Sequence, residues 1–263
     1  MIEKYIARAQ RVQSLLCVGL DTDIERLPEH FRHDPYPQFA FNRWMIEQTY
    51  PYASAYKPNL AFYETDAGLA ALKMTLDYLH EQHPDIVTIA DAKRADIDST
   101  NLGYVRSVFD WMGFDAVTLN PYLGQEALVP FLERGDKGCI ILCRTSNPGA
   151  DEFQNLMVGE RPLWQVVAER VAHQWNTRGN CMLVVGATQP AVLREVRQLV
   201  GELTLLVPGV GAQGGDLESV IRWGCNHNGL GLIANVARAV IWADNPAEAA
   251  RHWRDAINGF REF

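Results

Sequence analysis

Residues 86–97 read Ile86-Val87-Thr88-Ile89-Ala90-Asp91-Ala92-Lys93-Arg94-Ala95-Asp96-Ile97. The apolar first half has the length and the β-branched composition of a buried strand. Because side chains alternate along a strand, we expect Asp91 and Lys93 to project to the same side. Two charges near a buried strand end are costly unless they pair or take part in chemistry. The stretch therefore predicts a strand with a reactive site at its carboxyl end.

Seven other apolar runs resemble this one, and stretches with helical spacing separate them, such as residues 39–50, 69–80, 100–112, 163–175 and 191–199. The eight candidate strands span residues 15–20, 53–56, 86–90, 116–119, 139–143, 182–185, 203–207 and 230–234. Strands that alternate with helices indicate parallel pairing through right-handed crossovers. Eight units of about 30 residues fill the chain, as in known barrels of this kind. We therefore predict a single (β/α)8 TIM barrel domain over residues 1–263 rather than an open doubly wound sheet.

The composition excludes several classes of function. A net charge of −8 without a basic run argues against binding to nucleic acid or to an anionic membrane surface. The five cysteines are scattered and form no C-x-x-C motif, which is typical of reduced thiols. Residues 1–10 lack the apolar core of a signal peptide, and no run is long enough to span a membrane. We expect a cytoplasmic protein.

Active sites in barrels of this type form at the carboxyl ends of the strands. Polar residues follow nearly every predicted strand, which folding alone does not require. They are Asp21 after the first, Lys57 and Asn59 after the second, Asp91, Lys93 and Asp96 after the third, Asn120 after the fourth, residues 144–149 after the fifth, residues 186–188 after the sixth, residues 208–216 after the seventh, and Asn235 and Arg238 after the eighth.

The segment after the seventh strand is rich in glycine and leads to a helix start that we expect at Asp216. Glycines allow backbone N–H groups to approach an anion closely, and a helix N-terminus adds a favourable dipole. Phosphate groups commonly bind after the last two strands of such barrels. Arg238 follows the eighth strand, where its guanidinium could hold the same phosphate. The pattern predicts a phosphate site.

The opposite part of the rim carries alternating charges, namely Asp21, Lys57, Asp91, Lys93 and Asp96. Neighbours of opposite sign keep one another ionised, so a protonated lysine can be held against a developing carbanion. The sequence has no H-x-H or H-E-x-x-H motif, and we predict no metal site. A magnesium ion between Asp21 and Asp91 is conceivable, but the two lysines compete for those carboxylates.

These residues resemble the signature of orotidine 5′-phosphate decarboxylase. The stretch from Asp91 through Ile97 with Thr100 is similar to the family's D-x-K-x-x-D-I-x-x-T. Residues 57–64, 144–149 and 208–215 also resemble its blocks, and the first and last of these look most like the bacterial type 2 branch. The order and register of the blocks span nearly the whole chain. The resemblance implies cofactor-free and metal-free decarboxylation of orotidine 5′-phosphate to UMP in pyrimidine biosynthesis.

The resemblance also implies catalytic roles. Lys93 protonates C6 as carbon dioxide leaves, and Asp91 lies beside the departing carboxylate and helps to hold Lys93. Lys57 belongs to the charged group and also holds ribose hydroxyls. Asp96 and Thr100 reach across the interface of a homodimer into the partner's site.

The binding roles that the resemblance implies concern the rest of the substrate. Asp21 holds the ribose with Lys57, and Ser146 hydrogen-bonds the pyrimidine edge. Gln213 bridges base and phosphate on a closing loop. Arg238 and the backbone of Gly214 and Gly215 bind the phosphate.

Two alternatives stay open at this point. Related barrels with a similar acidic motif on the third strand perform magnesium-dependent aldol or enolising chemistry on sugar phosphates, although Lys57, Ser146 and Gln213 argue against this reading. The chain could also be a non-catalytic barrel that binds nucleotides, although the presence of Lys93 argues against it.

Overall fold

The computed structural model describes residues 1–210 and 216–261. Eight of its strands are parallel and form a closed barrel, while two short strands pair antiparallel outside it. The ten strands are β1 (Leu16–Gly19), β2 (Ala55–Lys57), β3 (Val87–Arg94), β4 (Ala116–Leu119), β5 (Gly138–Arg144), β6 (Met157–Val158), β7 (Arg161–Pro162), β8 (Cys181–Val185), β9 (Leu205–Pro208) and β10 (Leu232–Val236). The barrel strands neighbour one another in chain order, and β10 closes onto β1. The predicted (β/α)8 fold is confirmed.

Helices connect the strands and cover the barrel. They are α1 (Ile2–Arg11), α2 (Glu29–Arg32), α3 (Pro37–Thr49), α4 (Asp66–Gln82), α5 (Asp98–Val105), α6 (Gly124–Leu132), α7 (Asp151–Gln154), α8 (Leu163–Arg170), α9 (Pro190–Val200), α10 (Leu217–Gly224), α11 (Arg238–Ile241) and α12 (Pro246–Asn258). Helices α5 and α8 continue as π-helical turns over Arg106–Trp111 and Val171–Trp175, so the predicted helices at 100–112 and 163–175 change pitch midway. In the described part of the chain, no helix has the length and apolar character needed to cross a membrane.

The strands are buried because both faces of a parallel barrel sheet are covered, by helices outside and by packed side chains inside. Every residue of β1, β4, β8 and β10 is buried. The predicted apolar runs therefore correspond to the barrel strands, with ends that differ by a few residues.

Helix α1 packs across the amino-terminal end of the barrel. The Tyr5 hydroxyl donates to the carbonyl of Leu232 at 2.6 Å, and the buried Arg8 donates to the carbonyl of Ala53 at 3.1 Å and to Asp85 at 2.7 Å. These three acceptors lie at or just before the starts of β10, β2 and β3. The carboxyl ends of the strands are thus at the end opposite α1.

Candidate active site

Strand β3 does not end after Ala90, as the apolar run predicts, but continues to Arg94 through an irregular segment. Its register against β4 shifts between Ala90 and Arg94, and Lys93 adopts a left-handed backbone with φ of 49°. A non-glycine residue in this region carries about 1–3 kcal/mol of strain and needs its surroundings to hold it.

Thr118 of β4 holds this segment. Its buried hydroxyl accepts hydrogen bonds from the backbone N–H groups of Ala92 at 3.0 Å and Lys93 at 2.9 Å. The same hydroxyl donates to Asp91 Oδ1 at 3.1 Å. One side chain on the neighbouring strand therefore fixes the backbone and a carboxylate of the reactive segment together.

The side chains of Lys57, Asp91 and Lys93 form a continuous ionic cluster, which we call the triad. Lys57 Nζ lies 2.7 Å from Asp91 Oδ2, and Lys93 Nζ lies 2.6 Å from Asp91 Oδ1. The side chain of Lys57 is 3% exposed, whereas that of Lys93 is 50% exposed. Asp91 thus uses one oxygen for each ammonium, and Lys93 is the member of the triad that is accessible to a substrate.

Asp91 and Lys57 keep their charges at neutral pH. Burial alone would raise the pKa of Asp91, but the Lys57 and Lys93 ammoniums outweigh it and hold that pKa well below its ordinary range. Burial likewise opposes the charged form of Lys57, but Asp91 and Asp21 raise the pKa of Lys57 above its ordinary value. The site therefore holds a fixed ammonium–carboxylate–ammonium arrangement.

Two acceptors near the triad are buried and have no hydrogen-bond donor in the described part of the chain. They are Asp21 Oδ1, just after β1, and Asn235 Oδ1 on β10. Burial raises the pKa of Asp21, with Lys57 opposing that shift. A methyl group placed on Gly19 would lie 3.3 Å from Asn235 Oδ1. Because glycine has no side chain, the space beside that oxygen stays open. Buried acceptors without donors are suited to substrate hydroxyl groups.

Arg238 begins α11, directly after β10, and its side chain is exposed. It lies close enough to Asp21 for its charge to oppose the raised pKa of that carboxyl. Ala237 packs against Gly19, where a methyl group would approach the Ala237 Cβ to 2.6 Å. The structure thus brings Asp21, Arg238 and the triad to one end of the barrel.

Asp96 and Thr100 lie beyond β3 and are not bonded to the triad in the described part of the chain. Asn101 fixes the Asp96 backbone by accepting from its N–H at 2.9 Å and donating to its carbonyl at 2.5 Å. The Asp96 carboxylate accepts from the N–H of Ile97 at 2.7 Å. Thr100 is exposed in the first turns of α5. Neither residue therefore belongs to the triad of its own chain.

Ser146 follows β5 and is half-buried. Gln213, Gly214 and Gly215 lie outside the described residues, so the loop that we predict to hold phosphate is represented only by its ends. The helix start that we expected at Asp216, where this loop ends, is confirmed. The Asp216 side chain accepts from the N–H of Glu218 at 3.1 Å and caps α10.

Sequence reasoning missed two residues of the site, Thr118 and Gln154, and assigned no role to a third, Arg144. Thr118 sits inside an apolar run, so no local pattern distinguishes it from a core residue. Arg144 and Gln154, which hold the loop that carries Ser146, are ten positions apart and meet only in the fold. Their sole signal was the position of Arg144 at a strand end.

Within residues 1–210 and 216–261, no group of three or more His, Cys, Asp or Glu side chains is placed to hold a metal ion.

A closed (β/α)8 barrel with paired lysines and aspartates at the carboxyl ends of its strands defines a barrel enzyme that acts on a small charged substrate. A family model described as orotidine 5′-phosphate decarboxylase/HUMPS matches residues 14–253. The chain belongs to this family.

Individual relatives narrow the assignment. The chain is 44% identical to an orotidine 5′-phosphate decarboxylase of Janthinobacterium sp. (strain Marseille), covering 98% of each sequence. It is 48% identical to one of Herpetosiphon aurantiacus, over 95% of this chain and 93% of the relative. Among solved structures, an OMP decarboxylase of Leishmania donovani superposes with a TM-score of 0.89 at 38% identity, covering 99% of this chain and 98% of that one. These relatives favour the decarboxylase reading over the sugar-phosphate alternative.

Proposed function

We propose that the triad carries the decarboxylation of orotidine 5′-phosphate to UMP, which is the reaction that membership of the family assigns to this carboxy-lyase of pyrimidine biosynthesis. The single observation that carries the proposal is the position of Lys93, an accessible ammonium held by an ionised carboxylate whose other oxygen binds a second, buried ammonium.

Lys93 is the acid in this proposal. The bond between C6 and the carboxylate breaks, its electron pair stays on C6, and carbon dioxide leaves. The Lys93 ammonium then transfers a proton to C6, and the neutral amine is reprotonated from solvent. The carbanion at C6 has no resonance with the ring, so a preorganised positive charge at that atom supplies the main stabilisation.

Asp91 positions the acid and destabilises the departing group. Its Oδ1 holds Lys93 and accepts from Thr118, so the ammonium cannot turn away without breaking a connected set of bonds. Its low pKa keeps it negative beside the substrate carboxylate. Repulsion between these two carboxylates is relieved as carbon dioxide leaves, a contribution that we rank below the charge of Lys93.

The remaining groups bind the substrate. Asp21, whose Oδ1 has no donor among the described residues, accepts from the ribose hydroxyls, and Lys57 donates to them. Ser146 hydrogen-bonds the pyrimidine edge. Arg238 binds the phosphate with the backbone of Gly214 and Gly215, and Gln213 bridges base and phosphate. Binding of the remote phosphate supplies energy for assembling the site around C6.

We further propose a homodimer in which Asp96 and Thr100 complete the partner's site. The surface around them supports this, because exposed apolar side chains lie on α5, just before it and in the turn before α6. They are Ile97 at 54% exposure, Leu102 at 48%, Leu123 at 48% and Tyr122 at 82%. Exposed apolar surface beside functional residues is typical of an interface. We also propose that residues 1–263 act as one barrel domain and that the enzyme works in the cytoplasm, where its free cysteines remain reduced.

The test is ultraviolet monitoring of orotidine 5′-phosphate with purified protein in EDTA, together with chromatographic detection of UMP. Loss of substrate absorbance with stoichiometric UMP supports the proposal. If folded protein turns over orotidine 5′-phosphate only after magnesium is restored, the metal-free mechanism is wrong. If it neither turns over nor binds UMP, the sugar-phosphate alternative gains support. If it binds UMP and never turns over, the non-catalytic alternative replaces this one.

A further inference from the structure

The hydroxyl of Ser146 makes no hydrogen bond within the described part of the chain, so its place is set by the residues around it. On one side Ser146 lies against the bare backbone of Gly186, where an added Cβ would come within 2.7 Å of the Ser146 Cβ. Gly186 is itself fixed, since its N–H donates to the Arg144 carbonyl at 2.8 Å. The loop side of Ser146 needs a separate restraint.

Arg144, the last residue of β5, supplies that restraint through hydrogen bonds to the loop. It is only 2% exposed, although it stands at the barrel rim. Its Nη2 lies 2.5 Å from Asp151 Oδ1, and its Nη1 donates to the Thr145 carbonyl at 3.0 Å and to Gln154 Oε1 at 3.3 Å. One buried guanidinium thus reaches both ends of the segment 145–154.

Gln154 completes the connection to the neighbours of Ser146. Its Oε1 accepts from the N–H of Thr145 at 2.9 Å, and its Nε2 donates to the Thr145 hydroxyl at 2.8 Å. That hydroxyl in turn donates to Asn147 Oδ1 at 2.6 Å. The residues before and after Ser146 are therefore held by one side chain seven or more positions away.

Apolar packing does not account for the order of this loop. Phe153 is 59% exposed and Leu156 is 53% exposed, so the segment has little buried apolar surface of its own. Burying a guanidinium costs free energy unless its bonds are satisfied, and Arg144 Nε has no partner in the described part of the chain. An apolar side chain would therefore serve a purely structural purpose at least as well. The polar bonds fit a requirement for a defined position of the loop.

We propose that Arg144 and Gln154 are positioning residues that place the Ser146 hydroxyl for the pyrimidine edge of the substrate. This inference rests on the proposed function, since it needs a pyrimidine bound at Ser146. Neither side chain touches the substrate. Their effect passes through Ser146 and is confined to the part of the ligand that Ser146 contacts.

The test removes the connection at Gln154. Because Gln154 is half-buried and Arg144 is buried, substituting Gln154 disturbs the fold less than substituting Arg144 would. Gln154→Ala and the similar-sized Gln154→Met delete both bonds to Thr145. Gln154→Glu keeps an acceptor for the Thr145 N–H and for Arg144 and loses only the donor to the Thr145 hydroxyl, so it serves as the matched control for the accepting bonds. Each is made in the wild-type chain and in Ser146→Ala, and kcat/KM is measured with orotidine 5′-phosphate.

We expect Gln154→Ala and Gln154→Met to lower kcat/KM by about 10-fold, the equivalent of one well-placed hydrogen bond. Gln154→Glu should lose less activity than either, because it keeps the bond from the Thr145 N–H. In the Ser146→Ala chain, Gln154→Ala should add nothing, because two changes that act through one contact are not additive. A double variant whose loss is the product of the single losses overturns the inference, as does an unchanged kcat/KM in Gln154→Ala.

Competitive inhibitors with and without a base distinguish a displaced Ser146 hydroxyl from a general loss of structure in the site. The inhibition constant of UMP should rise in Gln154→Ala, while that of ribose 5-phosphate, which lacks the base, should stay at its wild-type value. Equal weakening of both inhibitors contradicts the inference. Absence of turnover in the wild-type chain would instead refute the proposed function, so the two failures are distinguishable.

Discussion

Replacing Thr118 by valine should damage catalysis far more than it damages stability. The substitution preserves shape but removes the acceptor of two backbone N–H groups, those of Ala92 and Lys93, and a donor to Asp91. Losing the acceptor of a buried N–H costs about 1–3 kcal/mol for each group. Release of the left-handed strain at Lys93, about 1–3 kcal/mol, offsets part of this. We expect a net loss of about 1–3 kcal/mol in the free energy of unfolding.

The catalytic consequence is larger because the same hydroxyl fixes both members of the reactive pair. A displacement of about 1 Å in a catalytic group costs on the order of 100-fold in rate. We therefore expect kcat for orotidine 5′-phosphate to fall by about 100-fold in Thr118→Val. The measurements are the initial rate of decarboxylation, followed by ultraviolet absorbance, and urea unfolding of the same preparation.

Two controls isolate the effect. Thr118→Ser keeps the hydroxyl and should retain most of the activity. Thr49→Val makes the same chemical change at a buried site in α3, where the hydroxyl donates to the Met45 carbonyl at 2.7 Å and accepts from the Tyr56 hydroxyl at 2.8 Å. It should cost stability without lowering kcat, because neither bond reaches the β3 segment. If Thr118→Val keeps the wild-type kcat, or loses no more activity than Thr49→Val, the reasoning about the β3 segment is refuted.

Four further predictions follow from the site. Lys93→Ala should lose nearly all turnover while still binding UMP; substantial residual turnover would remove Lys93 as the acid. Arg238→Ala should raise KM by about 10- to 100-fold, the value of a charged phosphate contact, and an unchanged KM would exclude it from the phosphate site. Mixing Asp96→Ala with Lys93→Ala subunits should restore activity through hybrid sites, and no recovery after proven subunit exchange would count against a shared site. Asp21→Asn should raise the free energy of unfolding at pH 7, because burial raises the pKa of Asp21 in the fold and its ionised form favours the unfolded chain. That gain should fade as the pH falls through the raised pKa of folded Asp21 and be absent below about 4, the ordinary pKa of an aspartate. Equal stability of variant and wild type at pH 7 in urea unfolding would contradict it.

Much of the fold could be predicted because the strands of a covered parallel barrel are continuous apolar runs, which stand out from the helical spacing between them. The prediction was less accurate where β3 enters the site. Strand alternation led us to expect Asp91 and Lys93 on one side, and their side chains do meet at 2.6 Å. The strand between them is irregular, however, and Lys93 has a left-handed backbone conformation. The alternation of side chains along a regular strand does not predict this irregularity.

The pairing inside the site required the fold. Lys57 and Asp91 are 34 positions apart, and sequence reasoning could place both at the same rim without deciding which carboxylate Lys57 contacts. The structure joins Lys57 to Asp91 and leaves Asp21 Oδ1 without a donor in the described part of the chain. For Asp96, the resemblance implied a role in the partner's site, and its separation from the triad of its own chain is compatible with that role.

By itself, the sequence determined the barrel and the end at which its polar residues collect, because strand composition and the direction of parallel strands are local properties repeated along the chain. Only the tertiary structure decided how those residues act together. Thr118 fixes the β3 segment, and Gln154 reaches back to Thr145, through contacts between side chains that are distant in sequence or hidden in apolar runs. Such contacts depend on distances of about 3 Å, which no periodicity specifies and which only the closed barrel sets.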